Sequence, residues 1–125
     1  MNKNKFLIFI PTYNEADNVE SIFQQLTKLD LPADILFLDD NSPDGTGKII
    51  DKMVDNNKNV FVIHRSAKSG IGSAHQRGIR WAYSKDYEVL ITMDCDFTHS
   101  PEYITDFIKH SGEWVKSQPM VISTS

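Results

Sequence analysis

Four short, unbroken apolar runs constrain this chain more than any other feature of it. They cover residues 6–10, 35–38, 60–63 and 89–93, and a weaker fifth covers 120–122. Runs that stay apolar instead of alternating are the mark of strands buried on both faces. The stretches between them carry helical spacing. Val19, Ile22, Phe23, Leu26 and Leu29 form one stripe, Ile49, Ile50, Met53 and Val54 a second, and Ile104, Phe107 and Ile108 a shorter one. The segment from Ser73 to Lys85, with Ala74, Ile79 and Ala82, predicts another helix between the third and fourth strands. Asn14 is placed to cap the first helix, and Ser100-Pro101-Glu102 sets a hydroxyl before a proline at a first helical position. Strand–helix alternation implies right-handed crossovers and a mostly parallel sheet with helices on both faces. The expected class is α/β.

At 125 residues the chain has room for one domain with one core, so residues 1–125 are expected to form a single unit. Hydrophobic residues make up 40% and charged residues 24%, which excludes a disordered chain. The net charge of -4 argues against a dedicated nucleic-acid binder, although a local basic patch is compatible with it. A lone cysteine, Cys95, excludes an internal disulfide and an all-cysteine metal site. No segment reaches the roughly 18 apolar residues of a membrane helix. The first apolar run is short and meets Pro11-Thr12-Tyr13-Asn14 instead of a small-residue cleavage site, so it reads as a strand and not a signal peptide. The expectation is one domain facing the cytoplasm.

In open parallel sheets, ligands bind beyond the carboxyl ends of the strands. Four such ends carry Pro11-Thr12-Tyr13-Asn14-Glu15, Asp39-Asp40-Asn41-Ser42-Pro43-Asp44-Gly45, His64-Arg65 with Lys68-Ser69-Gly70-Ile71-Gly72, and Asp94-Cys95-Asp96-Phe97-Thr98-His99. Carboxylates, glycines and cations on one rim suit a phosphorylated, metal-bound ligand. Each feature also has a bland reading. Asp39, Asp40 and Asp44 fall in a turn-rich stretch, where aspartate caps helices and makes Asx turns. Asp94 and Asp96, two apart after a strand, can face one ion, and their hard oxygens suit Mg²⁺ or Mn²⁺. Gly70 and Gly72 fit either a tight loop or a close approach of backbone to ligand at a helix start. His64, His75, His99 and His110 read as exposed or hydrogen-bonded, Cys95 as a small packing residue, and Trp81 and Tyr83 as packing residues.

Taken in order, these four motifs resemble the N-terminal half of a family 2 glycosyltransferase of the GT-A fold, closest to the polyprenol-phosphate (dolichol-phosphate) mannosyltransferase branch. The resemblance covers roughly residues 5 to 110. It implies a Rossmann-like nucleotide-binding half. Pro11, Tyr13 and Glu15 would contact base and ribose, Asp40 would accept a hydrogen bond from the base, and Leu38 would add a backbone contact beside it. Asp94 and Asp96 would hold Mg²⁺ or Mn²⁺ on the donor diphosphate, with Cys95 between them. The implied reaction transfers a hexose with inversion, from GDP-mannose in first place, with UDP-glucose or UDP-N-acetylglucosamine as alternatives. The implied acceptor is a lipid phosphate or a saccharide, bringing peripheral association with a membrane.

Relatives run on for about as many residues again, supplying the acceptor side. Residues 112–125 are expected either to begin the family's next strand or to form an unrelated tail. A last strand left at the edge would favour self-association. Two other readings compete with an active transferase. One is a non-catalytic nucleotide-sugar-binding or interaction module of the same fold. The other is a phospho-acceptor domain of flavodoxin-like topology, which needs an acceptor aspartate where this chain has His64.

Overall fold

A computed structural model describes residues 5–66, 70–93, 95 and 120–123. Elements alternate as the apolar runs predict: β1 (Phe6–Thr12), α1 (Val19–Lys28), β2 (Ala33–Asp39), α2 (Thr46–Asn56), β3 (Val60–His64), α3 (Ile71–Ser84), β4 (Val89–Thr92) and β5 (Met120–Ser123). The five strands form one parallel sheet in the order β3-β2-β1-β4-β5. From β1 the chain builds outward through β2 and β3, then returns to lay β4 on the other side of β1. Such a reversal, here between the carboxyl ends of β1 and β4, is the usual ligand position in sheets of this kind. A flavodoxin-like domain has the order 2-1-3-4-5, so that reading is overturned.

Alternation of side chains across the pleat explains why the runs are unbroken. Phe6, Ile8 and Ile10 of β1 join Val19, Ile22 and Leu26 of α1 and Ile50 and Met53 of α2 in one core layer. Leu7 and Phe9 point the opposite way and join Leu36 and Leu38 of β2 with Ala74 and Ala82 of α3. Helices therefore cover both faces, and β2 is buried at every position. On the α3 face the fit is close. A Cβ on Gly78 would stand 2.7 Å from ring carbons of Phe9.

Local details depart from expectation at three places. The first helix begins at Val19 with Asn18 at its N-cap, and no side chain caps it. Asn14 instead adopts a left-handed φ of 55° and donates its backbone N–H to Ser42 Oγ at 2.9 Å. The third helix starts at Ile71, two residues earlier than its apolar pattern suggests, because Gly70 at φ 94° and ψ 155° turns the chain into it. Only glycine reaches that region readily. On α3, Trp81 packs as expected, its ring centroid 5.3 Å from Phe61 and 6.0 Å from Tyr87. Tyr83, however, is 70% exposed, because the helical phase that buries Ala74 and Ala82 turns it outward along with Ile79. The expected stripe Ile104, Phe107, Ile108 and the Ser100 cap lie outside the described residues. Among the described residues no helix is long and apolar enough to cross a membrane.

Candidate functional site

Parallel register brings three strand ends to one level: Thr12 pairs with Asp39, and Asp39 with His64. Backbone hydrogen bonds carry the ladder one step further. Asp40 N–H donates to Thr12 O at 3.3 Å, Arg65 N–H to Asp39 O at 2.9 Å, and Met93 N–H to Phe9 O at 3.0 Å. Beyond this level the chain leaves the sheet, and the loops are tied to each other by side chains.

Asp39 and Asp44 do the tying. Thr12 Oγ1 and Ser42 Oγ donate to Asp39 Oδ1 at 3.0 and 2.6 Å, and Ser42 N–H donates to its Oδ2 at 3.1 Å. Asp44 accepts the Thr46 hydroxyl and N–H on Oδ1 and the Ala16 N–H on Oδ2. The Thr46 hydroxyl is the main cause holding the Asp44 carboxyl below its ordinary range. Glu15 N–H donates to Thr46 Oγ1 at 3.0 Å. The loop after β1 is thereby laced to the loop after β2, and for these two aspartates the turn reading holds.

Asp40 has another fate, because consecutive side chains at a strand end point opposite ways. Its buried carboxylate is held by Arg65, with Nε donating to Oδ1 at 2.5 Å and Nη2 to Oδ2 at 2.8 Å. Arg65 Nη1 donates to Ser73 Oγ, in the first turn of α3, at 2.8 Å. The bond to Asp40 raises the guanidinium pKa above its already high value, against the opposing effect of burial. Sequence reading set Arg65 within a motif and gave it no role. Only the β2–β3 register sets the residue after Asp39 beside the residue after His64.

The other expected ligand residues lie around this pair. Tyr13 is exposed at the rim, and Pro11 and Glu15 are partly buried. Glu15 Oε1 accepts Asn18 Nδ2 at 3.0 Å, and its carbonyl accepts the N–H groups of Asn18 and Val19, so it also starts α1. The Leu38 side chain is fully buried, which leaves only its main chain to meet a ligand, and its carbonyl accepts Thr12 Oγ1 at 3.1 Å. Cys95 is buried in the core layer of α1 and α2, as a packing residue is. Asp94 and Asp96 lie outside the described residues. Among the described residues no group of three His, Cys, Asp or Glu could hold a metal ion. His64 binds Asp51 Oδ1 at 2.7 Å on the surface, and His75 meets the Phe9 ring edge-on at 5.9 Å, while His99 and His110 lie outside the described residues. Among the described residues, no side chain caps the N-terminus of α3, and a Cβ on Gly72 would meet nothing within 4 Å. The Asp40–Arg65 pair, the exposed Tyr13 ring and the start of α3 follow the carboxyl ends of β1, β2 and β3, and the first N–H groups of a helix are donors suited to an anionic group.

Several known proteins are similar to this chain. The family model for glycosyl transferase family 2 matches residues 7–115. An undecaprenyl-phosphate mannosyltransferase of Micrococcus luteus is 36% identical over 120 residues, covering 96% of this chain and 48% of that protein. A polyprenol monophosphomannose synthase of Mycolicibacterium smegmatis is 39% identical over 100 residues, covering 79% of this chain and 38% of that one. The chain thus spans about half the length, or less, of these curated relatives. A mannosyltransferase from Pyrobaculum calidifontis, solved in complex with GDP-Man and Mn²⁺, matches with a TM-score of 0.72 at 18% identity, over 87% of this chain and 32% of that one. That likeness is one of fold.

Proposed function

The chain belongs to glycosyl transferase family 2, and from that premise we propose that it binds the donor of a polyprenol-phosphate mannosyltransferase, which moves mannose from GDP-mannose to a lipid phosphate with inversion. The observation that supports this most is the placing of the four motifs. Each follows one of four adjoining parallel strands, at the end beside the β1–β4 reversal, and all lie within the span matched by the family. The names of the two relatives support the sugar and the lipid-phosphate acceptor, and the GDP-Man of the Pyrobaculum calidifontis neighbour supports the base.

In this reading Asp40 accepts N–H donors of the base, Pro11 and Tyr13 line it, and Glu15 meets the ribose hydroxyls. The main chain at Leu38 lies alongside, while Asp94 and Asp96 meet the diphosphate and the side chain of Cys95, between them in sequence, packs in the core. Asp94 and Asp96 offer the hard carboxylate oxygens that Mg²⁺ and Mn²⁺ take while bridging to phosphates, so this donor set fits a divalent ion. When bound, such an ion stabilises the negative charge that grows on the diphosphate as the sugar leaves. The chain's own part is orientation. Its laced loops hold base and ribose so that the anomeric carbon is presented to the acceptor. A lipid-phosphate oxygen is already anionic and needs little help from a general base. Such an acceptor brings the protein to the cytoplasmic face of a membrane as a peripheral protein.

A thermal-shift titration with GDP and UDP, with and without Mn²⁺, tests the donor site. Ligand at about 100 Kd should add about 2.7 kcal/mol. The expected result is a GDP shift that requires Mn²⁺ and disappears in Asp94→Ala. A cooperative melt that neither nucleotide moves would sink the donor-site reading, and a shift with UDP alone would reassign the base. Binding without transfer of mannose to polyprenol phosphate would leave donor binding as the activity of this stretch.

A further inference from the structure

The residue assigned above to read the base is already engaged by the protein. Arg65 grips both carboxylate oxygens of Asp40 in a fork, at 2.5 and 2.8 Å. The pair is nearly enclosed, with the Asp40 side chain 8% exposed and that of Arg65 16%. A fork of this kind occupies one lone pair on each oxygen, in the plane where any second two-donor group would have to dock. A base cannot reach both oxygens past the guanidinium.

We propose that Arg65 is a specificity-determining residue of the donor site: it competes with the base for Asp40, so that the site admits guanine, whose edge offers two adjacent N–H donors. This rests on the donor-site reading above. A buried carboxylate left with unsatisfied oxygens is strongly destabilising, so whatever displaces Arg65 must replace its two hydrogen bonds. Guanine exchanges two bonds for two, through N1–H and N2–H. Uracil brings only N3–H and leaves one buried oxygen short. Adenine and cytosine set a ring acceptor beside their amino donor, and a carboxylate repels that acceptor. Ser73 Oγ, 2.8 Å from Nη1, gives the released guanidinium a partner to keep at the start of α3. Arg65 therefore selects by raising the threshold for every base and leaving one able to clear it.

Calorimetric titration of GDP and UDP, with Mn²⁺ present, into the wild-type chain, Arg65→Met and Arg65→Lys tests this. Wild type should prefer GDP to UDP by about tenfold or more. GDP should bind about tenfold more tightly to Arg65→Met, which removes the competitor. Arg65→Lys keeps the charge without the fork and should fall between the two. In wild type, the Arg65 Nε–H resonance should move on saturation with GDP and stay still with inorganic diphosphate, which has no base. Equal affinity for UDP and GDP, weaker or unchanged GDP binding to a folded Arg65→Met, or an Nε–H unmoved at saturating GDP overturns the proposal. The resonance decides the matter in wild type if Arg65→Met fails to fold. Wild type binding GDP with Arg65 unmoved would leave the donor site standing and remove this inference alone. If neither nucleotide binds wild type or Arg65→Met, both fall.

Discussion

Asp39 and Asp40 are chain neighbours with the same side chain and different work. Asp39 spends its oxygens on Thr12 and Ser42 and shapes the turn, whereas Asp40 faces Arg65. From sequence the pair could be recognised as acidic residues at a strand end, but the division of labour follows from which way each points. Another buried carboxylate, Asp34, lies near the other end of the sheet. Tyr87, just before β4, donates its hydroxyl to Asp34 Oδ2 near the start of β2, and both residues are buried. Burial first, then the bond to Asp34, pushes the Tyr87 phenol well above its ordinary 10.0. In the fold Tyr87 therefore keeps its proton at a pH where the unfolded chain has released it. The unfolded state then binds fewer protons, so this contribution is complete below pH 10 and lost as pH rises beyond it. Denaturant melts at pH 7 and across pH 9–11 should show Tyr87→Phe less stable at pH 7 by about 1–3 kcal/mol. Part of the wild type's alkaline loss of stability should be missing in that variant. Identical pH slopes would contradict the assignment.

At the scale of elements, the approach of α3 to β1 depends on one absent side chain. Gly78 lies where a Cβ would stand 2.7 Å from the Phe9 ring, and Phe9 is fully buried and cannot withdraw. Gly78→Ala should cost about 1–3 kcal/mol through overpacking, read as a lowered Tm. Gly72→Ala, on the same helix with open space at its Cβ, should be neutral or gain up to about 1 kcal/mol, because alanine is the better helix former. Equal effects at the two positions would refute the packing account. The apolar stripe of a helix shows which side is buried, and Ala74 and Ala82 showed it here. It does not show how near the helix comes to the sheet.

At the scale of the whole molecule, β1 is the keystone. It lies between β2 and β4 with core on both faces, and it also carries the first motif of the site. Phe9→Ala should cost about 3–5 kcal/mol, a large part of the roughly 5–15 kcal/mol that holds a domain folded. Phe61→Ala on the edge strand β3, where the ring is only partly buried, should cost less in parallel melts. A reversed order would move the centre of the core away from β1. The sequence by itself determined the alternation of strands and helices, the two-sided burial of the sheet, and the ordered motifs that mark the family. Each is written in residues close together in the chain, as a period or a spacing. Only the tertiary structure decided the strand order and the partners across it: Arg65 on Asp40, 25 residues apart, and Tyr87 on Asp34, 53 apart. Such contacts leave no local period, because they follow from parallel register and from the face toward which each strand end turns its side chains.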